Sequence, residues 1–338
     1  MVYTFGLEKH ANTRYRDSLI RLSCCELRAL LHSLSIDCSI IHEQLGGADF
    51  LTFECRDLTS DEITFLSGHS TVVFLSVKND ALLSPLSFLS GDYLTGGLPE
   101  ILKYKGKTSV SFTRMLMNIA LSVSPFSLAD RPLTILDPLC GKGTTCFCAL
   151  QAGMNAIGLD LDRKAIREAS DFFKRYLKLN LLKHTVRHFS ETSGKASLPV
   201  TEFQFADSNE HYREKDFRFL RLAAGDTSHA PALCRKNKAH LIIADLPYGV
   251  QHAPQFGGRT ESFCDILVRV LPEWKKTLKS NGVAAISFNT LTLPAQRVLD
   301  IAADSGFAIC DYEFCRNLRH EVEQAVVRDA VILINKSL

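Results

Sequence analysis

From Leu133 onward, short apolar runs alternate with longer stretches whose apolar residues recur at helical spacing. This order constrains the fold more than any other feature, because a strand joined through a helix to a second strand pairs with it in parallel. The runs that read as strands are 133–137, 156–160, 218–223, 240–245, 283–288, 307–314 and 324–334. The helices between them include 144–151, 164–179, 262–278 and 294–305. Only the link CRNLRHEVE separates the last two runs. They are therefore expected to pair antiparallel as a hairpin at the sheet edge. The pattern predicts an α/β fold with a seven-stranded, doubly wound sheet whose last strand is reversed.

Residues 1–80 carry a different rhythm. A strand at 2–5, an amphipathic helix at 17–34, strands at 38–42 and 50–55, a short helix at 60–66 and a β-branched run at 71–77 follow one another. The order β-α-β-β-α-β is that of a ferredoxin-like α+β domain. Residues 81–105 are rich in Ser, Leu, Pro and Gly and read as a linker or cover segment, with the larger domain at 106–338. Within it, 188–217 is polar and irregular and reads as an insertion with one hairpin near 202–206.

Composition narrows the class. The net charge of +2 sets up no strong global field, so any nucleic acid would have to meet a local patch. Basic residues do cluster between Arg163 and His188, which fits either a phosphate-contacting face or the solvated side of a helix. The eleven cysteines are scattered without paired C-x-x-C spacing, and His184 and His188 have no third ligand nearby, so no metal is expected. The start of the chain lacks a secretory pattern, and no apolar run is long enough to span a membrane. A reduced, cytoplasmic protein is expected.

Two motifs carry chemistry. The first is DPLCGKGTT, Asp137 to Thr145, at a strand–turn–helix junction. Gly141 and Gly143 let the backbone turn sharply and approach a ligand. The Asp137 carboxylate is placed to take a cationic amino group, and Thr144 is a candidate helix cap. The sixth position of the G-x-G-x-x-G dinucleotide fingerprint is Cys146, and the G-x-x-x-x-G-K-[ST] phosphate loop is absent. Asp-Pro-x-Cys-Gly-x-Gly-Thr reads instead as a cradle for S-adenosylmethionine (SAM), with Asp137, Pro138, Gly141, Gly143 and Thr144 as cofactor-binding residues and Asp137 at the amino group of the methionine moiety. Asp160 ends the next strand and suits the ribose hydroxyls, leaving Asp162 to cap the following helix. Asp226, beside Thr227, either accepts from the adenine amine or belongs to an ordinary turn. Phe112 and Thr113 either fold back over the methionine end or form a helix N-terminus with a core Phe.

The second motif is DLPYG, Asp245 to Gly249, at the end of the fourth strand. An aromatic amine is a poor nucleophile because its lone pair is delocalised into the ring. Asp245 and the Leu246 carbonyl can accept its two hydrogens and turn the lone pair outward. Pro247 stiffens the turn and brings no competing N–H. Tyr248 offers a flat face for a base. The loop after it, with Gly257, Gly258 and Arg259, fits substrate closure, and His252 is not required as a base. A nucleic-acid substrate would have to present an unpaired or flipped base.

With both motifs in hand, residues 100–338 resemble the tRNA guanine-N2 methyltransferases of the THUMP-associated class. That class carries an Asp-Pro-x-x-Gly-x-Gly loop and an Asp-Pro-Pro-Tyr-Gly motif, matched here by Asp137, Pro138, Gly141 and Gly143, then Asp245, Pro247, Tyr248 and Gly249. YKGKTS (104–109) is similar to the class's Tyr-x-Gly-x-Thr-Ser stretch, and the tail 320–336 to its final strand. The resemblance implies a Rossmann-like SAM-methyltransferase fold, SAM as cofactor and RNA, foremost tRNA, as substrate. The chain departs from the class at Leu246, which replaces the first proline, and a full THUMP domain is not seen. N-methylation of a small molecule or of DNA adenine, and a SAM- or RNA-binding module without catalysis, are the other readings that the motifs leave open.

Overall fold

The computed structural model describes residues 1–9, 13–80, 82–87, 91–102, 107–127, 132–247, 255–256, 259–260, 262–323 and 325–336. The first elements are β1 (Val2–Leu7), α1 (Thr13–Ser33), β2 (Ile40–Leu45), β3 (Ala48–Glu54), α2 (Ser60–Leu66), β4 (Val72–Asn79) and β5 (Leu82–Pro85). Their strands form an antiparallel sheet in the order β2-β3-β1-β4-β5. Tyr3, Phe5, Leu51, Phe53 and Leu75 point into one core with Leu27, Leu30 and Leu31 of α1. Thr59 and Glu62 cap α2 reciprocally. Part of the expected linker is thus a fifth strand.

Next come α3 (Leu98–Ile101) and α4 (Val110–Ser122). Then follow β6 (Thr134–Asp137), α5 (Thr144–Gln151), β7 (Asn155–Asp160), α6 (Arg163–Leu179), β8 (His184–Ser193), β9 (Ala196–Phe205), α7 (Asn209–Glu214), β10 (Arg218–Ala224), α8 (Ala230–Leu233) and β11 (Ala239–Asp245). The last elements are β12 (Gln255–Phe256), β13 (Arg259–Thr260), α9 (Phe263–Thr277), β14 (Leu278–Asn289), α10 (Ala295–Asp304), β15 (Ala308–Ile309), α11 (Glu313–Arg316), β16 (His320–Glu323) and β17 (Val326–Ile334).

These build a ten-stranded sheet in the order β15-β17-β14-β11-β6-β7-β10-β9-β8, with β16 paired to β17. The five central strands, β14 to β10, run parallel, and β17 runs antiparallel to β14. Alternate residues of the central strands enter two cores. Ile135, Leu241 and Ile243 pack with α4, α5 and α6, while Leu136, Ile242 and Ala244 pack with α8, α9 and α10. Both faces are covered, which is why these strands read as unbroken apolar runs.

Two expectations need correction. Residues 188–217 are not irregular: β8 and β9 form a long antiparallel hairpin that widens the sheet beyond β10. Residues 307–314 are not one strand. β15 spans two residues, and α11 and β16 stand between it and β17, which lies between β14 and β15. Among the described residues, no helix is long and apolar enough to cross a membrane.

Candidate functional site

β6 and β11 lie side by side and end in Asp137 and Asp245. From β6 the chain moves to β7 on one side, and after β10 it returns to β11 on the other. Crevices open at the carboxyl ends of strands at such a reversal. A cavity of about 240 Å³ lies here, between Asp137, Gly141, Thr144 and Thr145 on one side and Asp245, Leu246, Pro247 and Thr108 on the other. A larger cavity of about 460 Å³, at the junction of the two sheets near His69, Arg114 and Asn118, lies away from both motifs.

The turn after β6 takes its shape from its glycines. Gly141 has φ +51° and Gly143 φ +89°, a region that disfavours residues with a Cβ. A Cβ on Gly141 would meet nothing within 4 Å, so open space borders that backbone. Gly143 is the N-cap of α5. Thr144, expected as the cap, is instead the first helical residue, because the left-handed turn falls one position earlier; it borders the cavity.

The acids differ in their surroundings. Asp137 is buried, at 4% exposure. Burial pushes its carboxyl up to about 7; bonds from Thr145 and the Leu139 amide oppose the shift, and the charges of Asp160 and Asp245 add to it. Asp160 accepts from the Gly141 amide at 2.7 Å and the Asp162 amide at 2.8 Å, so it braces the glycine turn from β7. Burial raises its carboxyl too, against those bonds. Each carboxylate oxygen retains lone-pair capacity for a ligand hydroxyl. Asp162 caps α6 through the amides of Lys164 and Ala165, at 2.8 and 3.2 Å.

Other expected residues have different partners. Asp226 accepts from the Ser228 amide at 2.8 Å and from Arg269 at 2.9 Å. Burial would raise its carboxyl, but the bonds from Ser228 and Arg269 outweigh it and hold it low. The turn role is the one with observed partners. Thr227 is buried and accepts from the indole N–H of Trp274 at 3.0 Å, so its hydroxyl faces the core. Phe112 and Thr113 lie in the first turn of α4, capped by Ser109, and neither borders the cavity. The Phe112 ring lies between His320 (5.1 Å) and the Arg328 guanidinium (4.5 Å).

Around Asp245 the structure brings together residues that the sequence reading missed. Thr108 donates to Oδ2 and Ser287, on the neighbouring strand β14, donates to Oδ1. Arg328 on β17 is 3.9 Å from Oδ2 and is buried, at 4% exposure. The carboxylate is thus oriented by two hydroxyls and faced by a cation that rests on Phe112. The Leu246 amide donates to the Ser287 carbonyl at 2.9 Å, and Pro247 is exposed. Thr108 lies in the YKGKTS stretch, which was the available signal; Ser287 had none. Tyr248, Gly249, His252, Gly257, Gly258 and Tyr104 lie outside the described residues. Among those described, no group of three His, Cys, Asp or Glu is placed to hold a metal.

No protein-family model matches the sequence, and no curated protein matches it. Among solved structures the chain is similar to TrmN from Thermus thermophilus, at 15% identity and TM-score 0.41, over 88% of this chain and 59% of that one. It is similar to the rRNA methyltransferase AviRa from Streptomyces viridochromogenes, at 14% identity and TM-score 0.41, over 71% of this chain and 91% of that one. A TehB-like SAM-dependent methyltransferase from Corynebacterium glutamicum is similar at 16% identity and TM-score 0.34, over 61% of this chain and 84% of that one. The chain spans less than two thirds of the TrmN structure, and likenesses this distant do not carry a function across.

Proposed function

We propose that this chain is a SAM-dependent methyltransferase that modifies the exocyclic amine of a nucleobase, guanine-N2 in tRNA being the leading substrate. One observation carries the reading: a glycine turn with a buried acid and an Asp-Leu-Pro motif end adjacent parallel strands and share one cavity. We read β10-β7-β6-β11-β14-β17-β15 as the seven strands of a methyltransferase sheet, and the N-terminal sheet as a ferredoxin-like domain with one added strand.

The residues fit SAM by their chemistry. Asp137 suits the amino group of the methionine moiety, the open backbone at Gly141 admits close approach, and Asp160, which holds the Gly141 amide but does not itself line the cavity, suits ribose hydroxyls. When bound, SAM supplies an electrophilic methyl group. Asp245 and the Leu246 carbonyl accept the two amine hydrogens and direct the nitrogen lone pair. Thr108 and Ser287 fix the carboxylate's orientation, and the Arg328 guanidinium stands 3.9 Å from it. Tyr248 provides the stacking face. Catalysis of this kind rests on positioning.

The test is transfer of a labelled methyl group from SAM to total tRNA, alongside Asp245→Ala. Label recovered as N2-methylguanosine and lost in the variant is the expected result. Tight SAM binding without label in tRNA would reject tRNA and turn the search to DNA adenine and small molecules.

A further inference from the structure

A second cavity, of about 340 Å³, opens between α1 and β16, lined by Ser18, Arg21, Arg319, His320, Glu321 and Val327. Its two arginines come from opposite ends of the chain. Arg21 donates to the carbonyls of Asn317 and Arg319, which clasps the loop before β16 onto α1. Arg319 is exposed, and its charge, with that of Arg21, acts on the nearby carboxyl of Asp329. A chain of buried side chains joins the cavity to Asp245. His320 lines the cavity and packs against Phe112, on which Arg328 rests beside Asp245. A carboxylate, Glu321, and a hydroxyl, Ser18, share the space with the two guanidinium groups.

We infer that this cavity takes a ribose-phosphate unit of single-stranded RNA, next to the nucleotide whose base enters the Asp245 site. The inference rests on the nucleobase reading of that site. Guanidinium groups recognise phosphate oxygens with fixed donor geometry. A bare phosphate site has no use for a carboxylate, which repels the anion. A ribose-phosphate unit uses both, because Glu321 can accept from the 2′-hydroxyl, the group that separates RNA from DNA.

The experiment is fluorescence anisotropy with a labelled single-stranded RNA and a DNA of the same sequence, between 50 and 200 mM salt. Wild type, Arg319→Glu, Arg319→Ala and Glu321→Gln are compared as full-length proteins, with SAM titration as the control for folding. Both Arg319 variants are expected to weaken RNA binding, the glutamate by about tenfold. The slope of log affinity against log salt is expected to fall by about 0.7, the value for one phosphate contact on a single strand. Glu321→Gln is expected to narrow the preference for RNA over DNA. If wild type binds RNA and the Arg319 variants match it in affinity and slope, the cavity assignment is wrong and the nucleobase reading stands. If wild type binds SAM but shows no salt-dependent RNA binding, the RNA reading falls as well.

Discussion

Asp137 ties the glycine turn, proposed above to cradle SAM, to pH. With a carboxyl near 7 against an ordinary value of about 4, the folded chain holds a proton that the unfolded chain releases across that window. Its contribution to stability is therefore lost as pH rises from about 4 to 7. A cationic ligand favours the ionised form, so binding releases a proton below pH 7. SAM affinity is expected to fall by up to about tenfold per pH unit below 7, and Asp137→Asn to bind weakly with a flatter profile. Calorimetry between pH 5.5 and 8.5, in buffers of differing ionisation enthalpy, measures both; equal profiles for the two proteins would remove Asp137 from the proposed cofactor site. At this scale legibility was uneven. Asp137 and Asp245 stand at strand ends beside glycine or proline, where sequence advertises a turn. Thr108, Ser287 and Arg328 meet Asp245 only through tertiary pairing, which no local pattern encodes.

The β8–β9 hairpin shows why an element can be hidden. Its outer strand, HTVRHFSETS, is mostly polar, with Val186 and Phe189 its apolar residues and none of its positions buried, while β9 buries Leu198, Val200, Glu202, Phe203 and Phe205. One-sided alternation diluted by polar residues resembles a loop. A buried ion pair pins the hairpin to β10: Arg221 donates to Glu202 from Nε at 2.9 Å and Nη2 at 2.6 Å, and lies over the rings of Phe189 and Phe219. Burial would raise the Glu202 carboxyl, but Arg187 and Arg221 hold it below the usual range. Removing one member of a buried pair leaves the other charge uncompensated. Glu202→Gln is expected to cost roughly 3 kcal/mol or more in urea unfolding. Arg187→Ala should cost less than about 1 kcal/mol, because that side chain is 72% exposed. Equal losses would mean that the hairpin is held by its backbone pairing alone.

The two sheets meet around one buried acid. Glu26 of α1 is fully buried and accepts from the Ser70 amide at 2.8 Å and from Asn118 of α4 at 2.6 Å, with His69 at 3.6 Å. The chain has a single tryptophan, Trp274, in the core of the larger sheet. Glu26→Ala strands several buried donors and should cost roughly 3 kcal/mol. If the two sheets unfold as one cooperative body, the Trp274 fluorescence midpoint falls with it. A midpoint that stays put while far-ultraviolet dichroism shifts would mean that the sheets unfold separately. The alternating pattern made the parallel sheet readable, but nothing local could reveal that α1 docks on it, since that contact joins residues almost 300 positions apart. The position of β17 has a further consequence, for synthesis on the ribosome. Lying between β14 and β15, it is made after both and must enter a gap between strands already released. Until it does, the edge of β14 is open to foreign strands and Asp245 lacks Arg328 beside it. The nascent chain therefore passes through an aggregation-prone interval that lasts until β17 has left the exit tunnel and paired with β14.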